Sequence, residues 1–111
     1  MQLKDATLLR QQCYVDGAWA DAESGKTIPV KNPANGEVLG TIPNMGAKET
    51  RRAIEAAERA WPAWRAKTGK ERAAIMRRWY DLVMANQDDL AVIMTSEQGK
   101  PLAESRGEVV Y

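Results

Sequence analysis

The sequence predicts an α/β fold, with short strands first and helices after them, and two patterns carry this prediction. Up to about Asn44, short apolar runs alternate with glycine, proline, asparagine and aspartate, which is typical of strands joined by tight turns. From residue 46 onward, apolar residues recur at spacings of three and four, the period of an amphipathic helix. We therefore expect one domain over residues 1–111, with strands and turns in about 1–45 and helices in about 46–111.

Three short strands are expected in the first part. The run Cys13–Ala20 is broken at Asp16-Gly17, a strong hairpin signal because glycine accepts positive φ. Thr27–Lys31 is the second strand, and its central proline cannot donate to a ladder, which places it at a sheet edge. The turn sequence Asn32–Gly36 leads into the third strand, Glu37–Pro43. Together these runs predict a small antiparallel meander that is poorly able to stand alone.

The first helix is expected from Glu49 to about Arg65. Its apolar residues share one face, and Gly46 is an acceptable cap in front of it. Pro62 lacks an N–H group and crowds the preceding turn. It is therefore expected to end or kink the helix near Ala60.

Two further helices follow closely. Thr68 and Glu71 form a capping box that predicts the start of the second helix, and Asn86 is expected to end it. The two aspartates at 88–89 are expected to begin the third helix, with Gly99 just past its end.

Pro101 can be the first residue of a fourth helix, which no cap, glycine or proline has ended by residue 111. The apolar faces of the first two helices are expected to pack on each other, whereas the face of the fourth lacks a partner. The face of the first helix consists of Ile54, Trp61 and Trp64, that of the second of Ile75, Trp79 and Val83, and that of the fourth of Leu102, Val109 and Val110. Because uncovered apolar surface favours self-association, a poorly stable monomer is expected.

Charge and composition argue against several classes of function. Sixteen basic and fifteen acidic residues give a formal charge of +1, and no long basic run indicates a nucleic-acid partner. No stretch approaches the ~20 apolar residues of a membrane span, and the N-terminus has no apolar run typical of a signal peptide. We therefore expect no nucleic acid and no membrane as partner, and a cytoplasmic location.

Residue types that carry acid–base or metal chemistry are scarce. The chain has no histidine, the commonest general base and metal ligand, and its one cysteine, Cys13, has no activating partner in sequence. The pair Asp88-Asp89 is explained by the dipole of the helix it begins, and the tryptophans by packing at helical spacing. No G-x-G-x-x-G loop occurs. No catalytic and no cofactor-binding residue is therefore predicted within the chain.

Glu97 is the most interesting candidate. It follows an apolar helix and precedes a glycine turn, so its carboxylate could bind a hard cation beside turn carbonyls. The alternative is a solvated acid near a helix end, which contributes little.

Four blocks of sequence, taken in order, resemble the start of the aldehyde dehydrogenase superfamily from about Gln11 to the last residue. The blocks are Val15–Trp19, Asn32–Gly36, Pro62–Ala66 leading to Glu71–Ala73, and Glu97–Glu104. The start Arg10-Gln11-Gln12 and the last block are most similar to bacterial succinate-semialdehyde dehydrogenases.

The resemblance implies a longer parent enzyme, of which this chain is the N-terminal fragment, comprising strands and outer helices of the cofactor-binding domain. The family oxidises an aldehyde to an acid with NAD or NADP, through attack by a cysteine, hydride transfer to the nicotinamide, and hydrolysis by a water that a glutamate activates. These groups would lie downstream of Tyr111. The parent would be a homo-oligomer that converts succinate semialdehyde to succinate in 4-aminobutyrate degradation.

The resemblance also implies a candidate site for a structural K⁺ or Na⁺ ion. Its ligands here would be the backbone oxygens of Val30 and Lys31 and the carboxylate of Glu97.

The chain alone is expected to be inactive. A last helix without an end signal suggests a truncated gene, a pseudogene product or a deliberately shortened chain. The alternatives to an enzyme fragment are a free-standing interaction module and a non-functional remnant.

Overall fold

The computed structural model describes all 111 residues and confirms the α/β class. After a 3₁₀ turn at Ala6–Leu8, the elements in chain order are β1 (Cys13–Val15), β2 (Ala18–Ala20), β3 (Thr27–Lys31), β4 (Val38–Pro43), α1 (Ala47–Ala66), α2 (Gly69–Ala85), α3 (Gln87–Gln98) and α4 (Leu102–Val110).

The strands pair as two separate antiparallel hairpins, β1–β2 and β3–β4, so the expected continuous meander is wrong. The predicted hairpin turn is confirmed: φ is 52° at Asp16 and 81° at Gly17, which matches the twist of the flanking strands. Between the hairpins, Gly25 N donates to Ala22 O at 2.9 Å, and the amide of Glu23 donates to a side chain of α1. This loop binds the helix, and β2 therefore does not continue into a pair with β3.

The second hairpin contains the predicted Asn-Pro turn. Gly36 N donates to Asn32 O at 2.8 Å, and the side-chain oxygen of Asn32 accepts from Ala34 N at 2.9 Å. Pro29 lies opposite Thr41, and in a two-stranded sheet each strand is an edge, so its predicted edge position is confirmed.

Helix α1 runs through Pro62 to Ala66, so it does not end near Ala60, which was one of the two effects expected of this proline. The proline removes only its own N–H from the ladder. The carbonyl that loses this bond belongs to Glu58, an exposed residue, where water can replace the donor. Lys67 N then donates to Trp64 O at 3.2 Å and closes the last turn.

Helix α2 begins at the predicted capping box. Glu71 N donates to Thr68 Oγ1 at 3.3 Å, and Thr68 N donates to Glu71 Oε2 at 2.7 Å. The hydrogen bond from Thr68 N has the larger effect in lowering the pKa of Glu71, and the hydrogen bond from the Thr68 hydroxyl has the next largest. Asn86 ends α2 as predicted, and its Nδ2 donates to Leu82 O at 2.8 Å.

The core lies where α3 packs on α4, with α2 alongside. Ala91 and Ser105 are fully buried, and the hydroxyls of Thr95 and Ser105 are 2.8 Å apart. The buried position of α4 is therefore Ser105, whereas Val110 of its predicted apolar face is 47% exposed.

The expected packing of α1 on α2 is wrong. Lys67 and Thr68, which join them, are both extended and direct α2 away from α1. Only seven of the 111 residues are buried, and the apolar face of α2 remains exposed to solvent, with Trp79 63% accessible. The large apolar residues exposed on the two helices are Ile54, Trp61, Ile75, Met76, Trp79, Tyr80 and Leu82.

Gly99 connects this helical part to the second hairpin. Its φ of 81° ends α3, as predicted, and its amide donates to Thr95 O at 2.9 Å. A Cβ atom at this position would lie 2.8 Å from Cγ of Pro33, so the Asn-Pro turn packs directly on the end of α3.

Substitution Gly99→Ala is expected to destabilise the chain by more than ~1 kcal/mol, because the left-handed conformation disfavours a Cβ and Pro33 occupies its space. Gly69→Ala is the matched control. Gly69 has ordinary φ, lies in the first turn of α2, and has nothing within 4 Å of the point where a methyl group would lie. Alanine there is expected to stabilise by up to ~1 kcal/mol. Urea unfolding of the longer parent protein carrying each variant measures the difference, and equal midpoints would contradict the close approach at Gly99.

Candidate functional site

A small cavity of about 20 Å³ lies where the N-terminal segment crosses β4 near the end of α3. Such a volume holds about one water-sized occupant. Val30 and Glu97, two of the three predicted ligands, both line it, whereas Lys31 does not line it. The full lining is Leu9, Arg10, Gln11, Val30, Leu39, Gly40, Thr41, Ile42 and Glu97. The structure therefore brings together two residues that are 67 positions apart in the sequence.

Three residues of this wall, Leu9, Arg10 and Gln11, come from the N-terminal segment, which the sequence indicated only as a family feature. Gln11 Oε1 accepts from Thr41 N at 2.8 Å. The guanidinium carbon of Arg10 lies 4.9 Å from the ring centroid of Trp19, within cation–π range. Arg10 thus lines the cavity while its guanidinium group stacks on Trp19.

The pair Asp88-Asp89 has a structural role that extends beyond its own helix. Asp89 is 7% exposed and accepts two main-chain hydrogen bonds, from Lys4 N at 3.0 Å and Asp5 N at 2.8 Å. Asp88 is exposed and pairs with Lys4 Nζ and with Arg106 Nε, each at 3.2 Å. Lys4 first, and Arg106 after it, hold the pKa of Asp88 below its ordinary value. Each carboxylate is thus occupied by contacts within the fold.

Cys13 and the tryptophans occupy ordinary positions in the fold. Cys13 is half-buried and pairs with Ala20 across the first hairpin. Trp61 and Trp79 are exposed, so the prediction that they lie in a core is wrong within this chain, while Trp64 is half-buried.

Glu49, which the sequence indicated only as the expected start of the first helix, is a buried acid. It is 7% exposed, and its two oxygens accept from Glu23 N at 3.1 Å and Gly46 N at 3.0 Å. Its own main-chain amide, and then those of Glu23 and Gly46, hold the pKa of Glu49 below the ordinary value. Glu23 in turn pairs with Lys48 at 2.7 Å. Glu49 therefore ties the loop between the hairpins to the start of α1.

Comparison with known proteins identifies the family. The family model described as "Aldehyde dehydrogenase family" matches residues 19–111. The chain belongs to the aldehyde dehydrogenase family. It is 68% identical over all 111 residues to glutarate-semialdehyde dehydrogenase of Pseudomonas aeruginosa, and 60% identical over 111 residues to an NADP(+) succinate-semialdehyde dehydrogenase of Escherichia coli.

The structural comparison agrees with the sequence comparison. The crystal structure of succinate-semialdehyde dehydrogenase from Burkholderia pseudomallei superposes with a TM-score of 0.96 at 62% identity, over all of this chain. This aldehyde dehydrogenase chain spans 23% of the length of each of these three relatives. The resemblance identified from the four sequence blocks is thereby confirmed.

The glycines with positive φ, at 17, 25, 36 and 99, lie in hairpin and loop turns or after α3. Among the helices, none has the length and apolarity needed to cross a bilayer.

Substitution Glu49→Gln is expected to remove part of the acid sensitivity of the fold. Because the pKa of Glu49 is lowered in the folded chain, its carboxylate stabilises the fold above the unfolded pKa of about 4.3, and this stabilisation is lost as pH falls through the folded value. The variant should therefore melt below the wild type at pH 6, with the gap shrinking below pH ~4. Thermal melts of the longer parent protein across this range give the comparison.

Glu55→Gln is the control, since Glu55 lies exposed on the same helix and takes part in none of the side-chain hydrogen bonds or ion pairs. It should melt as the wild type does at each pH. A constant gap between Glu49→Gln and wild type across the whole pH range would contradict the assigned role of the carboxylate.

Proposed function

We propose that this chain is the N-terminal part of an enzyme that oxidises a short semialdehyde to a dicarboxylate with NAD or NADP. The observation that carries the proposal is 60–68% identity, over every residue of the chain, to relatives named for succinate or glutarate semialdehyde. Succinate semialdehyde, with succinate as product in 4-aminobutyrate degradation, is the first candidate substrate. We further propose a cytoplasmic homo-oligomer.

Glutarate semialdehyde is the second candidate. The two relatives at 68% and 66% identity, both from Pseudomonas, carry that name. The two aldehydes differ by one methylene, and one methylene in an apolar pocket separates substrates by only about 10–200-fold. An enzyme for either substrate is therefore expected to act measurably on both.

The chemistry is proposed to lie outside these 111 residues. In support, three acids already have partners within the fold. Glu49 and Asp89 accept hydrogen bonds from main-chain amides, and Asp88 forms ion pairs with two cationic side chains. The role proposed for this chain is architectural, as part of the domain that carries the cofactor site.

Activity assays of the parent and of the chain test this proposal. The parent is expected to have its highest kcat/KM with succinate or glutarate semialdehyde, above betaine aldehyde and acetaldehyde. The chain alone is expected to reduce neither NAD nor NADP with any of the four. Absorbance of the reduced nicotinamide reports each rate.

Three outcomes would overturn parts of this proposal. A highest efficiency with betaine aldehyde or acetaldehyde would contradict the substrate class. Turnover by residues 1–111 would contradict the architectural role. Sharp, reversible unfolding of a monodisperse monomer of the chain would favour a free-standing interaction module, whose contact surface would be the exposed face of α2 around Trp79.

We also propose that Glu97, with the carbonyl oxygens of Val30 and Lys31, binds a monovalent cation such as K⁺ or Na⁺. Support comes from the cavity that Val30 and Glu97 share, and from the preference of hard cations for oxygen ligands. The ion would neutralise Glu97 and hold the Asn-Pro turn to the end of α3.

Potassium is expected to raise the melting temperature of the parent, since an ion that binds only the folded state stabilises it by ~2.7 kcal/mol at 100 times its Kd. Glu97→Ala should abolish this response and Glu55→Ala should retain it. Differential scanning calorimetry in potassium and in choline chloride at equal ionic strength separates binding from screening. An identical potassium response in Glu97→Ala would remove the site.

A further inference from the structure

The N-terminal segment makes contacts with three separate parts of the fold. At its start, residues 4 and 5 bind the beginning of α3 through Asp89. At its end, Gln11 binds β4 at Thr41, and Gln12 Nε2 donates to Asp21 Oδ2 beyond β2 at 2.9 Å. We name residues 4–12 the N-terminal clasp.

Asp89 is the strongest anchor of the clasp. Its oxygens each accept one main-chain N–H, and the donors lie 85 and 84 positions earlier in the chain. The carboxylate is almost fully buried, so water competes little for these bonds. Hydrogen bonds to an ionised acceptor are roughly twice as strong as neutral ones. Lys4 adds an ion pair to the neighbouring Asp88 at 3.2 Å.

Gln11 is the second anchor. Its side-chain oxygen accepts from Thr41 N, a main-chain donor on the strand that pairs only with β3. A Cβ atom on Gly40 would lie only 2.9 Å from this oxygen. The glutamine thus lies flat on the strand, and glycine at position 40 permits the approach.

Besides the clasp, the second hairpin reaches the helical part where Pro33 packs against Gly99. The extensive contacts of the fold lie within each hairpin and among α2, α3 and α4. Between its two anchors, the clasp places Leu9, Arg10 and Gln11 along the cavity that contains Glu97.

We propose that the N-terminal clasp fixes the position of the two hairpins on the helical part and closes the Glu97 cavity, and that Asp89 locks it. Asp89 is a positioning residue in this scheme. It acts through the amides of Lys4 and Asp5, and its effect on β4 depends on an intact segment between the anchors. Release of the first anchor should therefore loosen the second, although no contact of Gln11 is altered.

Amide hydrogen exchange on the parent enzyme tests the lock directly. In the wild type, the amides of Lys4, Asp5 and Thr41 should be protected. Asp89→Asn keeps the shape but offers a donor where one amide needs an acceptor. It should lower protection of the Lys4 and Asp5 amides by roughly tenfold or more, and that of Thr41 by a smaller factor. Trypsin should then cleave faster after Lys4 and Arg10.

Glu104→Ala is the matched control. Glu104 occupies in α4 the third helical position that Asp89 occupies in α3, so both substitutions remove the same first-turn charge, but Glu104 binds no distant amide. It should leave exchange and cleavage in residues 4–12 unchanged. An equal loss of protection in both variants would assign the effect to the helix end and overturn the clasp.

A double-mutant cycle completes the test. Removal of residues 2–5 and Asp89→Ala should each lower Tm by about 4–8 °C, and the combination should lower it no further than either alone. Additive shifts would overturn the proposal. If Asp89→Ala does not fold, the wild-type exchange still decides: unprotected amides at Lys4 and Asp5 would show that the clasp is open.

Discussion

A buried carboxylate that accepts main-chain amides from a distant segment holds this structure together. Each of the four helices has an acid at its third position: Glu49, Glu71, Asp89 and Glu104. The local reason is the same in each, since negative charge favours a helix N-terminus. Two of these acids also accept hydrogen bonds from residues that are distant in the sequence. Glu49 takes the amide of a loop 26 positions away, and Asp89 takes two amides of the N-terminal clasp. Few apolar residues are buried, and both of these acids are among the buried residues of the chain.

The sequence predicted what depends on near neighbours. Both hairpin turns, the capping box at Thr68 and the glycine at the end of α3 follow from preferences of a few adjacent residues, and each was confirmed. It did not predict which faces would meet. Helical spacing shows that Trp79 shares a face with other apolar residues, but it carries no information on the partner of that face. The expected end of α1 before Pro62 has the same explanation, because the effect of a proline depends on whether solvent can reach the carbonyl group that it leaves without a hydrogen bond.

The candidate site shows the same division. That Val30 and Glu97 meet was available only through resemblance to a family, since 67 residues separate them and no local rule relates them. The presence of Arg10 in the wall was not foreseen, because the start of the chain has no periodic pattern that would fix its path. A useful signal was present nonetheless: acids at the third position of successive helices are candidates for long-range acceptors whenever the chain has unpaired amides to place.

The span of the Asp89 contact also bears on the order of folding. Joining residues 4 and 89 closes a loop of 85 residues, and the entropic penalty for loop closure must be met before such a contact can contribute. The hairpins and helices join residues that are close in the sequence and can form within microseconds. The clasp must come after them, because its acceptor exists in place only once α3 has formed. In kinetic terms, docking of the N-terminal clasp would be the last step, so substitutions there should speed unfolding while leaving the folding rate almost unchanged.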